Sequence, residues 1–240
     1  MTDEDPFDAL ASGPTAWTTG RIITKDLPAP HLVRLRMLVD DRRRHWPGQH
    51  YVIRLRAPDG YTAQRSYSAA SDDSDPLVEF LVERLPDGEV SGFLADVAEV
   101  GDVLEMRGPI GRWFRWDTHT PALCLVGGTG VVPAVAMLRA ARHLGRPDLL
   151  RVMAVARTPE ELPYAEELER AGASIAYTRH STSARTAGPP TKAEITGLLG
   201  EAQLAYVCGS SRFASFAEDL VIESGMSPEA VRVERFGITA

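Results

Sequence analysis

Three short stretches set reactive side chains or bare backbone close together. Residues 65–68 read Arg-Ser-Tyr-Ser. In a strand of period two, Arg65 and Tyr67 share one face while Ser66 and Ser68 take the other. A guanidinium holds a phosphate through a bidentate fork, and a phenol ring stacks on a flat heterocycle. A serine beside them can hydrogen-bond a ring nitrogen. Such a strand grips a phosphorylated aromatic cofactor; the plain alternative is an exposed strand with a surface tyrosine. Residues 127–130 read Gly-Gly-Thr-Gly, between a continuous apolar run and an apolar helical pattern. Glycines there let N–H groups approach a phosphate, and a helix N-terminus attracts the anion. The third glycine of G-x-G-x-x-G is missing, so a tight strand-to-helix turn is the competing reading. Residues 207–211, Val-Cys-Gly-Ser-Ser, repeat the arrangement at a later strand. Cys208 is there either a small buried hydrophobe or the edge of a ligand site.

The elements that position these stretches differ between the two halves. Up to about residue 116 the chain reads as six short β-runs, among them 18–27, 31–38, 48–55 and 76–85. The second and third alternate apolar residues with arginine, as half-buried antiparallel strands do. Pro-Asp-Gly and Ser/Asp clusters supply the turns. Six strands at this spacing predict a small closed antiparallel barrel. Residues 116–121, Trp-Asp-Thr-His-Thr-Pro, read as a linker. Beyond it, apolar runs alternate with helical patterns, which predicts an α/β doubly wound sheet of five parallel strands. The expected layout is a flexible tail over 1–16, a barrel domain over 17–117 and an α/β domain over 118–240. Residues 181–190 read as a loop.

The totals narrow the function. At 240 residues and a net charge of −7, the chain has a real core and no duplex-wide nucleic-acid footprint. Two cysteines cannot hold an iron–sulfur cluster on thiolates. Six scattered histidines without H-E-x-x-H argue against zinc, so no metal is expected. There is no G-x-x-x-x-G-K-[ST] loop and no G-x-S-x-G elbow. No run approaches a membrane span. The acidic first residues lack the features of a signal peptide, which makes cytoplasm the default. Arg42, Arg43 and Arg44 form either a solvated turn or a docking patch for an acidic carrier.

Taken together and in this order, the stretches resemble the ferredoxin–NADP reductase superfamily of flavoproteins, over nearly the whole chain after residue 17. Arg65–Ser68 match its R-x-[YF]-[ST] flavin motif. Residues 86–94 are similar to its glycine-to-serine pyrophosphate turn, and 101–114 to the stretch closing the barrel. Residues 127–133 match its nicotinamide-nucleotide motif, 207–210 its cysteine-glycine motif, and 234–237, Glu-Arg-Phe-Gly, its carboxy-terminal signature. The resemblance implies a flavin held by Arg65, Ser66, Tyr67, Ser68, Val82, Glu83, Gly88, Val90, Ser91 and Phe236. Arg65 would hold a phosphate, Tyr67 stack on the isoalloxazine and Ser68 bond near N5. Ser91 and the backbone near Gly88 would take a pyrophosphate, which favours FAD over FMN. Gly128, Thr129, Gly130, Arg157, Thr158, Arg185, Cys208 and Gly209 would hold the nicotinamide nucleotide, with Ser68, Cys208 and Glu234 at the chemistry.

The implied activity is hydride transfer from NADPH or NADH to FAD. Electrons then pass to a separate redox protein such as a ferredoxin, an oxygenase or another metalloenzyme. Two departures stand out: the chain lacks cluster cysteines and stops three residues after Gly237, and Cys-Gly-Ser-Ser replaces the commoner Cys-Gly-Pro. A monomer or weak dimer is expected. Arg157 and Thr158 end the second parallel strand where an NADH enzyme usually carries an acid. With Arg179 and Arg185 after the third strand, they lean the choice towards NADPH, against Glu160 and Glu161 nearby. Two other readings stay open: an NAD(P)H:free-flavin reductase, and a flavin-binding module without enzymatic activity.

Overall fold

The computed structural model describes residues 15–237. Of the tail expected over 1–16, only Thr15 and Ala16 fall within them. The chain divides into two compact units between Arg112 and Trp113.

The first unit is a six-stranded antiparallel sheet. Its strands are β1 (Trp17–Ala29), β2 (Leu32–Val39), β3 (His50–Arg56), β4 (Thr62–Ser68), β5 (Val78–Glu83) and β6 (Val103–Ile110). The order is β4-β3-β6-β1-β2-β5. In β2, Val33, Leu35, Met37 and Val39 are buried, while Arg34 and Arg36 lie on the other face. That is the alternation a one-sided sheet requires. The core gathers Ile22, Leu35, Tyr51, Ile53, Phe80 and Met106. The chain leaving β4 reaches the other edge: Ala70 N–H donates to Glu79 O at 2.8 Å, and Glu79 N–H to Ser71 Oγ at 3.0 Å. Between β5 and β6 lies α1 (Glu89–Gly92), followed by a wide helical turn over Phe93–Val97.

Within the arginine run, Arg43 is exposed while Arg42 and Arg44 bond the β4–β5 connection. Arg44 Nε donates to Asp73 Oδ2 at 2.7 Å, the His45 N–H donates to Asp73 Oδ1 at 3.0 Å, and Arg42 bonds Asp73 and the Asp75 carbonyl. These groups fasten the β2–β3 connection to the β4–β5 connection. His45 is buried against the Ser71 carbonyl at 3.0 Å.

The second unit holds five parallel strands: β7 (Ala122–Gly127), β8 (Leu150–Ala156), β9 (Ser174–Tyr177), β10 (Leu204–Ser210) and β11 (Val231–Phe236). The order β11-β10-β7-β8-β9 makes β7 and β10 neighbours on either side of the topological switch. The helices are α2 (Val131–His143), α3 (Ala165–Arg170), α4 (Lys192–Leu199) and α5 (Ser211–Glu223). The unit begins a few residues before the boundary expected from the sequence. Phe114 and Trp116 sit in its core, and the Tyr206 hydroxyl donates to Arg115 O at 2.8 Å. Residues 116–121 thus pack on this unit: Trp116 Nε1 donates to Thr120 O at 2.8 Å.

Candidate functional site

Candidate residues fall into one group on each unit. On the first unit, β4 is an edge strand whose partner is β3. Tyr67 stands opposite Tyr51, Arg65 opposite Ile53, Ser66 opposite Val52 and Ser68 opposite His50. Tyr67 is half-buried against the barrel core. Burial pushes its phenol well above the ordinary range, with the Arg65 charge pulling the other way. Arg65 is exposed, and Nη1 donates to the neighbouring Gln64 carbonyl at 2.8 Å. Ser66 is exposed and Ser68 is buried.

Beside β4 lies the Gly88–Ser91 turn. The Ser91 hydroxyl accepts the Leu85 N–H at 3.3 Å and donates to Gly88 O at 3.4 Å. A Cβ on Gly88 would stand 2.3 Å from Ser91 Oγ, so the turn packs tightly at Gly88, whose N–H donates to Leu85 O at 3.1 Å and whose carbonyl accepts the Gly92 N–H at 2.7 Å. Val82 and Val90 bury their side chains in the core, so a ligand can meet them through backbone alone. Glu83 is exposed at the end of β5.

On the second unit the bare backbone gathers at the switch point. A Cβ on Gly130 would lie 2.4 Å from the Cys208 carbonyl oxygen. On Gly127 and Gly209 it would meet the Phe213 ring at 2.9 and 2.6 Å. The ends of β7 and β10 interlock around that ring, a packing role the sequence reading did not assign to Phe213. Gly128 has φ +57 with open space where a Cβ would go, so its backbone stays accessible. Thr129 is half-buried beside it.

Cys208 is fully buried, and its thiol is pushed well above the ordinary range by burial first and the Glu234 carboxylate second. It is therefore a thiol, not a thiolate nucleophile. Glu234 is its register partner on β11, and burial raises that carboxyl to about 7. Phe236, in register with Ser210, is half-buried against the unit's core.

The ribose end differs in part from the sequence expectation. Arg157 is exposed, 3.5 Å from Glu161, and its carbonyl accepts the Arg179 N–H at 2.9 Å. The loops after β8 and β9, which carry Arg157, Thr158 and Arg179, are thus adjacent. Arg185 is turned away from any ligand role. Its Nε and Nη2 bond Glu194 at 2.6 and 3.2 Å, Nη1 bonds Gly188 O at 2.9 Å, and Nη2 bonds Pro189 O at 2.7 Å. Its partner Glu194 also caps α4 through Thr191, and the Arg185 fork holds that carboxyl down at about 2. The sequence reading misses this because the two residues lie nine apart across a loop. Among the described residues no three His, Cys, Asp or Glu side chains form a metal-binding group. No described helix is long and apolar enough to cross a membrane.

Residues 29–115 match the family model described as an oxidoreductase FAD-binding domain. The chain is 31% identical over 204 residues to the toluate 1,2-dioxygenase electron transfer component of Pseudomonas putida, covering 81% of this chain and 59% of that protein. It is 25% identical to the ferredoxin–NAD(P)(+) reductase component of the naphthalene 1,2-dioxygenase system of the same species, covering 95% of this chain and 72% of that one. In fold it is similar to the flavohem-like FAD/NAD binding domain of nitric oxide dioxygenase from Vibrio cholerae. The TM-score is 0.80 at 20% identity, over 92% of this chain and 99% of that one. It is likewise similar to a ferredoxin NADP+ reductase from Neisseria gonorrhoeae with bound FAD and NADP. There the TM-score is 0.77 at 18% identity, over 91% and 98% of the two chains.

Proposed function

We propose that this chain is a member of the ferredoxin–NADP reductase superfamily of flavoproteins and acts as an NAD(P)H-dependent flavoprotein reductase serving a separate redox protein. The reading is carried by one observation. A strand presenting Arg65 and Tyr67 lies beside the Gly88 turn, in a chain that also holds, at the switch point of its parallel sheet, Gly128 with open space where a side chain would go. These residues fit a flavin dinucleotide: an exposed guanidinium suits a phosphate, and a half-buried phenol suits a flat ring.

When bound, FAD supplies the redox chemistry, accepting a hydride and giving up electrons singly. The chain's own residues bind and orient. Arg65 takes a phosphate, Gly88 and Ser91 the pyrophosphate, and Tyr67 the face of the ring, with Ser68 beside it. Val82, Glu83 and Val90 line the same site, the two valines through backbone. Gly128, Thr129 and Gly130 offer N–H groups to the nucleotide phosphates. Cys208 and Gly209 line its other side. Glu234 can hold a proton on a carboxyl oxygen near neutral pH, and Phe236 excludes water beside it.

The names of the two Pseudomonas relatives point to the acceptor: an oxygenase component, or a ferredoxin that serves one. For the nucleotide, Arg157 with Thr158 leans the choice to NADPH. Arg185, bonded to Glu194 and its own loop carbonyls, takes no part in that choice. A cytoplasmic location belongs to the same proposal, since that is where nicotinamide nucleotides are held, and cell fractionation checks it.

The test is purification followed by anaerobic titration. We expect a yellow protein that releases FAD on denaturation and bleaches on adding NADPH or NADH. A colourless protein that reduces free flavin in turnover replaces the proposal with the free-flavin reductase. A yellow protein that neither nucleotide bleaches reduces it to a binding module.

A further inference from the structure

We propose that Tyr61 is the platform for the adenine ring of FAD and so sets the choice of FAD over FMN, an inference that rests on β4 being the flavin strand. Ala57 N–H donates to Tyr61 O at 2.9 Å. This continues the β3–β4 ladder one step beyond Arg56 and Thr62. Tyr61 therefore takes the parity of Ala63, Arg65 and Tyr67. Along that face the side chains run aromatic, cation, small, aromatic. Read from Tyr67, the order matches the groups along FAD: isoalloxazine at Tyr67, the pyrophosphate at Arg65 and past the small Ala63, and adenine at Tyr61. At about 3.3 Å per residue, Tyr61 stands ~13 Å beyond Arg65, past the point where FMN ends.

The ring is also held for the purpose. Tyr61 is 57% exposed, and its hydroxyl donates to both Glu89 oxygens, at 3.1 and 2.9 Å. Glu89 directly follows Gly88, in the turn assigned to the pyrophosphate. The bond ties the aromatic ring to that turn, leaving its faces for a base to stack on.

Dissociation constants for FAD and FMN, measured by flavin fluorescence on flavin-free protein, test this. Tyr61→Ala should weaken FAD about tenfold, the scale of one base–aromatic stack, and leave FMN unchanged within about twofold. Tyr61→Trp should restore FAD binding. Arg65→Ala serves as the reference because it should weaken both flavins. If Arg65→Ala weakens both and Tyr61→Ala leaves the FAD/FMN ratio at its wild-type value, the platform is refuted and the flavin strand stands. If Arg65→Ala changes neither affinity, the flavin strand is refuted, and the platform with it.

Discussion

Arg65 presents its guanidinium to solvent, bonded to the Gln64 carbonyl beside it, whereas Arg185 is wrapped in its own loop. The same side chain is thus left open to a ligand in one place and tied into the fold in the other. Removing the Arg65 charge should cost flavin binding ~2–3 kcal/mol, as expected for a charge-assisted bond. That is about a hundredfold in dissociation constant. Equilibrium dialysis of Arg65→Ala against FAD measures it, and unchanged affinity contradicts the assignment. Cys208 is a different case. Its burial holds the thiol in the protonated form, and its backbone packs on Gly130, so we assign it shape rather than nucleophilic chemistry. Cys208→Ala should slow flavin reduction in stopped flow several-fold while the oxidised flavin spectrum stays the same. A reduction rate equal to wild type removes Cys208 from the site.

The loops at the ends of β8 and β9 place Arg157 next to Arg179, while the Arg185–Glu194 fork fixes the start of α4. Two substitutions separate these roles. Arg157→Ala should lower the NADPH/NADH ratio of kcat/KM about tenfold, the scale of a lost bond to a charged group. Arg185→Ala should leave that ratio within twofold but lower the Tm. Had the ratio followed Arg185, the loop would have to open in solution. Apart from β4, whose polar Arg-Ser-Tyr-Ser alternation marks it instead, the strands of the two sheets lie in or beside apolar runs of the sequence, because period-two and continuous burial leave a local mark. The glycines at 127–130 and 209 were legible for the same reason, since bare backbone at strand ends has few local causes. The contacts that are not legible join residues distant in sequence. Asp73 gathers Arg42, Arg44 and His45 from some thirty positions away, and Tyr61 meets Glu89. No periodicity encodes such pairs.

Over the whole molecule, the described groups that burial shifts between pH 5 and 7 differ in sign between the units. In the first unit His45 and His50 are lowered below 6.5, with burial the largest cause in each. Folded, they bind protons less readily than unfolded. Their contribution to stability is complete above pH 6.5 and is lost as pH falls through the folded values. In the second unit Glu234 is raised from 4.5 to about 7 by burial. Folded, it binds its proton more readily than unfolded. Its contribution is complete below 4.5 and is lost as pH rises through about 7, on the order of 2 kcal/mol between pH 5 and 7. The paired carboxylates Asp73, Glu167 and Glu194 are all lowered, and they lose their contribution below about pH 4.5, outside this window. Moving from pH 7 to pH 5 should therefore loosen the barrel while tightening the parallel sheet. Hydrogen exchange followed by peptide, corrected for the intrinsic pH dependence of exchange, reads the two separately. Protection should fall across β2, β3 and β5 and rise across β7, β10 and β11. Glu234→Gln should abolish the rise in the second unit and leave the fall in the first. If both units move in the same direction in wild type, or if the rise persists in Glu234→Gln, the buried Glu234 carboxyl does not control the pH response of the parallel sheet.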